Sequence, residues 1–165
     1  MLLKASIAGL TMDQASNTPI ILLKTEGDNQ VVPIWIGLLE ATSIASALQN
    51  IKFDRPMTHD LFKNMAQQLK VDVTMVEICD LKDNTFFARL HLTAEGNSLS
   101  LDSRPSDAIA IAIRFQAPIF VDEKVVAKSK KTDGSVEISD QSEEGQKLAE
   151  YLKSLTSDDF GKYKI

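Results

Sequence analysis

Residues 106–115 constrain this chain most, because as a helix they leave no polar face for water. Ala108, Ile109, Ile111, Ala112, Ile113 and Phe115 are spread almost all the way round. A surface helix is apolar along one stripe, so a helix apolar on all sides must be covered from more than one direction. The expected cover is a sheet, joined by other helices or by a second subunit. The residues leading into it, Asp102-Ser103-Arg104-Pro105-Ser106-Asp107, combine carboxylates, a guanidinium and hydroxyls. Proline followed by Ser-Asp marks a helix start, where open N–H groups and the dipole favour negative charge. An arginine there makes a clamp for phosphate or carboxylate. Arg55-Pro56-Met57-Thr58-His59-Asp60-Leu61 repeats that composition upstream. Two such elements in one small chain point to a site.

The remaining segments supply the cover. Leu3, Ala5 and Ile7 alternate with Lys4 and Ser6, the period of a half-buried strand. Residues 20–24 and 31–36 are apolar runs joined through Gly27-Asp28-Asn29, a hairpin signal. Pro33 has no ladder donor and belongs at an edge or a bulge. Ala41, Ile44, Leu48 and Ile51 recur at helical spacing, and a second helix starts near Thr58, read as its N-cap, burying Leu61, Phe62, Met65 and Leu69. Residues 73–81, 85–93 and 98–102 form an antiparallel meander, with Phe86, Ala88, Leu90 and Leu92 on one face of its middle strand. Residues 117–121 read as a short strand, 128–135 as a charged, flexible stretch, and 143–155 as an amphipathic closing helix. Strands with helices grouped between them indicate α+β. The expectation is a mixed, largely antiparallel sheet with helices packed on it. One compact domain would span residues 1–130, with a charged linker and C-terminal helix and tail over 131–165.

A chain of 165 residues can bury such a core without staples. The lone Cys79 rules out an internal disulfide, and nothing in the sequence suggests an oxidising compartment. No stretch approaches the roughly 20 apolar residues of a membrane span, and the N-terminal residues do not read as a signal peptide. A cytoplasmic protein without membrane contact is expected. The net charge of −5 speaks against a generic nucleic-acid coat binder. From Asp133 onward, however, eight acids face four lysines, so the tail carries −4 and the preceding domain about −1. A nearly neutral body can still present a local basic groove.

The chain resembles the bifunctional nuclease domain family. The likeness runs through Trp35-Ile36-Gly37, Glu40-Ala41 and Ile44-Ala45, then Arg55-Pro56 with Thr58-His59-Asp60-Leu61, and Thr85-Phe86-Phe87-Ala88. It continues through Asp102, Arg104-Pro105-Ser106-Asp107-Ala108-Ile109-Ala110 and Ala117-Pro118-Ile119, within residues 1–130. Phe87 and Ser103 stand where the family often has tyrosine and alanine. The resemblance implies an α+β domain, self-association as a homodimer, and, for some members, cleavage of DNA and RNA. Nucleic acid is then the expected partner.

Phosphodiester hydrolysis needs an activated water, charge stabilisation on the phosphoryl oxygens and help for the leaving oxygen. His59 is the candidate general base, oriented by a carboxylate such as Asp60, with Glu40 and Asp107 as further catalytic candidates. Arg55 and Arg104, with Thr58 and Ser106 at the two helix starts, are candidates for binding phosphate. Glu40, Asp102 and Asp107 are alternatively a carboxylate set for Mg²⁺ or Mn²⁺. The plainer reading makes Thr58 and Ser106 N-caps, Asp60 and Asp107 complements to helix dipoles, and Arg104 a structural ion pair. On that reading the protein is a non-catalytic dimeric scaffold, or a module that binds a phosphorylated ligand or nucleic acid. Trp35 reads as a core or interface anchor, His91 as a solvated strand residue and Cys79 as a small buried one. No Walker loop, zinc constellation or nucleophilic triad is legible. The bet underlying the site is that Arg55 and Arg104 share one pocket.

Overall fold

A computed structural model describes residues 1–132, with side chains described through residue 130. Seven strands form one sheet: β1 (Leu2–Asp13), β2 (Thr18–Thr25), β3 (Val31–Trp35), β4 (Val71–Lys82), β5 (Thr85–Ala94), β6 (Asn97–Ser103) and β7 (Ile119–Asp122). Their spatial order is β3-β2-β1-β7-β4-β5-β6. Every neighbouring pair is antiparallel except β4 with β7. Four helices accompany them: α1 (Leu38–Leu48), α2 (Thr58–Gln68), α3 (Pro105–Phe115) and α4 (Glu123–Thr132). This is the α+β class, with a mixed, mostly antiparallel sheet in one compact domain.

The meander obeys its own alternation. Val73, Val76, Ile78 and Leu81 of β4 are buried, and on β5 they oppose Leu92, Leu90, Ala88 and Phe86. Two bulges in β4, between Val73 and Met75 and between Ile78 and Asp80, keep that apolar face inward along twelve residues. Pro33 lies on β3 at the edge of the sheet, where a missing ladder donor costs nothing. Residues from β3 and from β5, far apart in the strand order, line one cavity, so the sheet curls round its core.

The core centres on α3, which packs against β4, β5, α1 and α2. Ala108, Ile109 and Ala110 are completely buried there. The cover demanded by its composition thus comes from within the chain. Phe115, at its end, meets Phe62 of α2 edge to face, with ring centroids 6.3 Å apart.

Four expectations need correcting. Residues 128–132 are not a flexible stretch but the second half of α4, whose Val125 and Val126 are buried and whose Lys128 ammonium reaches Asp80 at 2.7 Å. Ile51 lies beyond α1, which ends at Leu48. Of the residues expected to be buried by the second helix, Phe62 packs against the core, but Leu61, Met65 and Leu69 are exposed. Thr58 is the first residue of α2, not its N-cap; Met57 holds that position, and its N–H donates to Asp60 Oδ2 at 3.1 Å. The rest of that stretch, 133–135, and the closing helix expected at 143–155 lie outside the described residues.

Because Ile109 is enclosed on all sides, Ile109→Ala should cost about 2–5 kcal/mol. Urea unfolding monitored by circular dichroism measures this, and a loss below about 1 kcal/mol would show that α3 is not enclosed as described.

Candidate active site

Three helices begin on the same side of the molecule, and their first turns supply the polar groups. In α3, Arg104 is the N-cap residue and Pro105 opens the helix, which places Asp107 one turn in. Asp107 thereby sits where the dipole favours a carboxylate and directly under its own arginine. Arg104 grips it with two parallel bonds, Nε to Oδ2 at 2.7 Å and Nη2 to Oδ1 at 3.1 Å. Its third contact crosses to α1, Nη1 donating to Glu40 Oε1 at 3.0 Å. Glu40 folds back over the start of α1, and a Cβ at Gly37 would collide with its carboxylate. Glycine at position 37 is what admits this close approach.

α2 contributes His59. Its Nε2 lies 2.9 Å from Asp107 Oδ1 and its Nδ1 lies 2.8 Å from Ser43 Oγ. Burial pushes the Asp107 carboxyl up, but hydrogen bonds and charge from Arg104 and His59 outweigh it and hold the group below the ordinary carboxylate value. Asp107 is therefore ionised at neutral pH and can only accept. A neutral ring beside it must carry its proton on Nε2, which leaves Nδ1 to accept from the Ser43 hydroxyl. Ser43, His59, Asp107, Arg104 and Glu40 form one continuous line of hydrogen bonds across three helices.

A cavity of about 330 Å³ opens beside this line; Leu39, Ser43, Phe53, His59, Arg104 and Asp107 are among its walls. A second, about 290 Å³, lies across the Glu40–Arg104 bridge and is lined by Trp35, Phe86 and Ser106, among others. Glu40 and Arg104 border both.

Of the residues singled out from sequence, Glu40, His59, Arg104 and Asp107 meet. Thr58 borders the larger cavity, and Ser106 is buried beside the smaller one. Asp60 does not orient His59. Its Oδ1 accepts from Arg114 Nε at 2.6 Å, and Asp107 takes the place expected for it. Arg55 lies exposed before α2 and is not among the residues lining either of these two cavities, both of which Arg104 borders. The second arginine at the larger cavity is Arg114.

The carboxylate trio expected for Mg²⁺ or Mn²⁺ is not assembled. Asp102 is exposed on β6 opposite Arg89, while Glu40 and Asp107 face the same guanidinium. Among the described residues, no three His, Cys, Asp or Glu side chains group in a way that could hold a metal ion. The expected trio therefore does not form a three-carboxylate cation site. His91 is not simply solvated, since its Nε2 lies 2.8 Å from Glu77 Oε2.

Sequence reasoning missed Ser43 and Arg114. Ser43 lies one turn beyond Glu40 on α1, a spacing that could have signalled a shared face. Arg114 is the single charged residue late in an otherwise apolar helix, which argues for a buried partner. That partner is Asp60, and both guanidinium ends also donate to the Ser43 carbonyl at 3.3 Å.

An α+β domain with an arginine-clamped Ser–His–Asp line beside a cavity is what fold and geometry define. Comparison with known proteins adds its lineage: the model for the bifunctional nuclease domain matches residues 20–133, and the chain belongs to that family. An uncharacterised protein of Mycobacterium tuberculosis is 34% identical over 159 residues, covering 93% of this chain and 95% of its own. Bifunctional nuclease 1 of Oryza sativa subsp. japonica is 32% identical over 116 residues, 68% of this chain and 35% of the plant protein. Bifunctional nuclease 1 of Arabidopsis thaliana is 31% identical over 112 residues, 66% and 34% respectively. The plant proteins are thus about three times the length of the matching region.

The lowered value for Asp107 fixes a pH dependence. A carboxyl whose folded value is depressed contributes stability above its unfolded value, about 3.9, and loses it as pH falls through the folded value. Thermal melts of Asp107→Asn should therefore lie below wild type at pH 7 and converge with it below about pH 4. A gap that stays unchanged as pH falls well below 4 would show that the charge on Asp107 does not support the fold.

Proposed function

We propose that this protein is a nuclease that hydrolyses phosphodiester bonds of DNA or RNA in the larger cavity. The observation that carries the reading is the exposure of Arg104. A structural arginine in this protein looks like Arg114, whose side chain is 7% exposed with donors spent on a carboxylate and two backbone carbonyls. Arg104 instead leaves 65% of its side chain open while Asp107 and Glu40 fix its direction. Its three hydrogen bonds occupy three of the five guanidinium N–H groups, leaving the others to meet phosphoryl oxygens. Beside it, His59 is held in one tautomer by Asp107 with its basic nitrogen turned to a hydroxyl, the arrangement that general-base chemistry requires. The nuclease names of the plant relatives agree with this chemistry.

The reading also includes a homodimer acting in the cytoplasm. Self-association is supported by Leu61, Met65 and Leu69, which recur one turn apart along α2 and its end and are all exposed. Among the described residues no helix is long and apolar enough to cross a membrane. In light scattering, wild type should have twice the chain mass and Leu61→Lys with Met65→Lys the chain mass. A monomeric wild type would refute this part.

The scaffold reading makes a different demand on Arg104. If its bridges existed only to hold the fold, removing it would be strongly destabilising. An ion pair this exposed is worth at most about 1 kcal/mol. His59→Ala, Asp107→Ala and Arg104→Ala should each slow cleavage of oligonucleotides by about 10²–10⁴-fold, since each removes base or charge-stabilising chemistry. Arg55→Ala should stay near the wild-type rate. Equal rates for all four variants would sink the site; a collapse of the fold in Arg104→Ala would favour the scaffold.

A further inference from the structure

The line of hydrogen bonds does not end at His59. Its nitrogen Nδ1 points at Ser43 Oγ, 2.8 Å away, while the opposite nitrogen is committed to Asp107 at 2.9 Å. A water poised for activation would have to take the position that the serine oxygen already holds. The group from which this base can take a proton is a side-chain hydroxyl. That hydroxyl borders the same cavity as the Arg104 guanidinium, so a phosphoryl group there would meet both.

The backbone around Ser43 is also braced. Its carbonyl accepts from Ser46 Oγ at 3.0 Å and from both terminal nitrogens of Arg114 at 3.3 Å. Arg114 is in turn fixed by Asp60 at 2.6 Å and by the Ala110 carbonyl at 3.0 Å. Lys63 of α2 caps the Arg114 carbonyl at 2.7 Å. The elements that carry Ser43, His59 and Asp107 are therefore bolted together behind the reacting groups, which is what a preorganised nucleophile needs.

We infer that Ser43 is the catalytic nucleophile, attacking the phosphorus of a phosphodiester and carrying a covalent phosphoserine between two half-reactions. The inference rests on the hydrolytic reading above. In the first half, Ser43 Oγ bonds to phosphorus and passes its proton to His59 Nδ1. The bond from phosphorus to the opposite sugar oxygen breaks, that oxygen keeps the electron pair, and it takes a proton from solvent. In the second half, water attacks phosphorus from the vacated side and gives a proton to solvent. The bond to Ser43 breaks, Oγ keeps the pair and recovers its proton from His59. The sum is one water added across one phosphodiester bond. Arg104 holds the non-bridging oxygens in both halves, and Asp107 stabilises the imidazolium that exists between them.

A fluorophosphonate probe tests the nucleophile without needing nuclease activity, since attack by a serine oxygen expels fluoride and leaves a stable adduct. The wild-type chain should gain one probe mass, mapped by peptide sequencing to Ser43. His59→Ala, which keeps the serine but removes its base, should label at least 100-fold more slowly. In parallel, release of nitrophenol from bis(4-nitrophenyl) phosphate should fall at least 100-fold in Ser43→Ala, whose melting curve serves as a check on folding. An unlabelled Ser43 in a chain that hydrolyses the phosphodiester, or wild-type hydrolysis by Ser43→Ala, would overturn the inference and leave the nuclease reading standing. Labelling at Ser43 in a chain that cleaves no phosphodiester would support the nucleophile and refute the nuclease reading. Absence of both labelling and cleavage would overturn both.

Discussion

The site depends on the burial of α3. A helix with apolar residues on nearly every side has one stable position, between the sheet and the helices that cover it, and this fixes its first turn relative to α1 and α2. Arg104 and Asp107 belong to that first turn, so their place is set by packing before any polar contact forms. The two parallel bonds between them then fix the guanidinium plane, and Glu40 reaches the guanidinium and His59 the Asp107 carboxylate from helices already docked. Polar geometry of this kind is inexpensive to maintain, because the apolar core has already met the entropy cost of bringing the helices together.

Helix starts have complementary needs here. Each leaves open N–H groups that favour a nearby anion. Asp60 answers this in α2 by accepting from the Met57 N–H, and the same carboxylate neutralises the buried Arg114. Asp107 answers it in α3, but its neutralising partner is exposed, and its remaining capacity goes to a histidine. The two acids occupy equivalent positions, one turn into their helices, and their surroundings assign them different work. One ties helices together from behind. The other orients a histidine beside a cavity.

This explains what sequence could and could not reveal. The α+β class, the meander and the enclosed helix follow from periodicity, which reports burial directly: Phe86, Ala88, Leu90 and Leu92 alternate because only one face of β5 is covered. Glu40, His59, Arg104 and Asp107 were legible because charged residues beside helix starts are sparse enough to notice. Ser43 was not, since a serine between Thr42 and Ile44, with Ala45 and Ser46 following, looks like the small residues that let helices approach closely. Arg55 misled because a loop arginine beside a proline has the composition of a clamp, and no local signal gives the direction of its side chain. α4 was missed for the opposite reason. Lys128, Lys130 and Lys131 read as a solvated stretch, yet Lys128 reaches Asp80, as does Lys124 one turn earlier, and the hydrogen bond from Lys128 is the chief reason the Asp80 carboxyl is held well below the usual range.

The charge balance bears on how an acidic chain could act on a polyanion. Binding by counterion release scales with the number of phosphates neutralised, with a slope near −0.9 per contact on duplex DNA. At this site Glu40, Asp107 and Asp60 face Arg104, Arg114 and His59, a set close to neutral, and of its guanidinium groups the exposed one is Arg104. One exposed guanidinium engages one linkage, so affinity would depend weakly on salt and would not come from coating the backbone. Such a protein would gain selectivity from the fit of a single phosphodiester and its flanking groups into the two cavities on either side of the Glu40–Arg104 bridge. Net charge then ceases to argue against chemistry on nucleic acid. It argues only against a broad binding surface, and the proposed chemistry on α1, α2 and α3 needs no such surface.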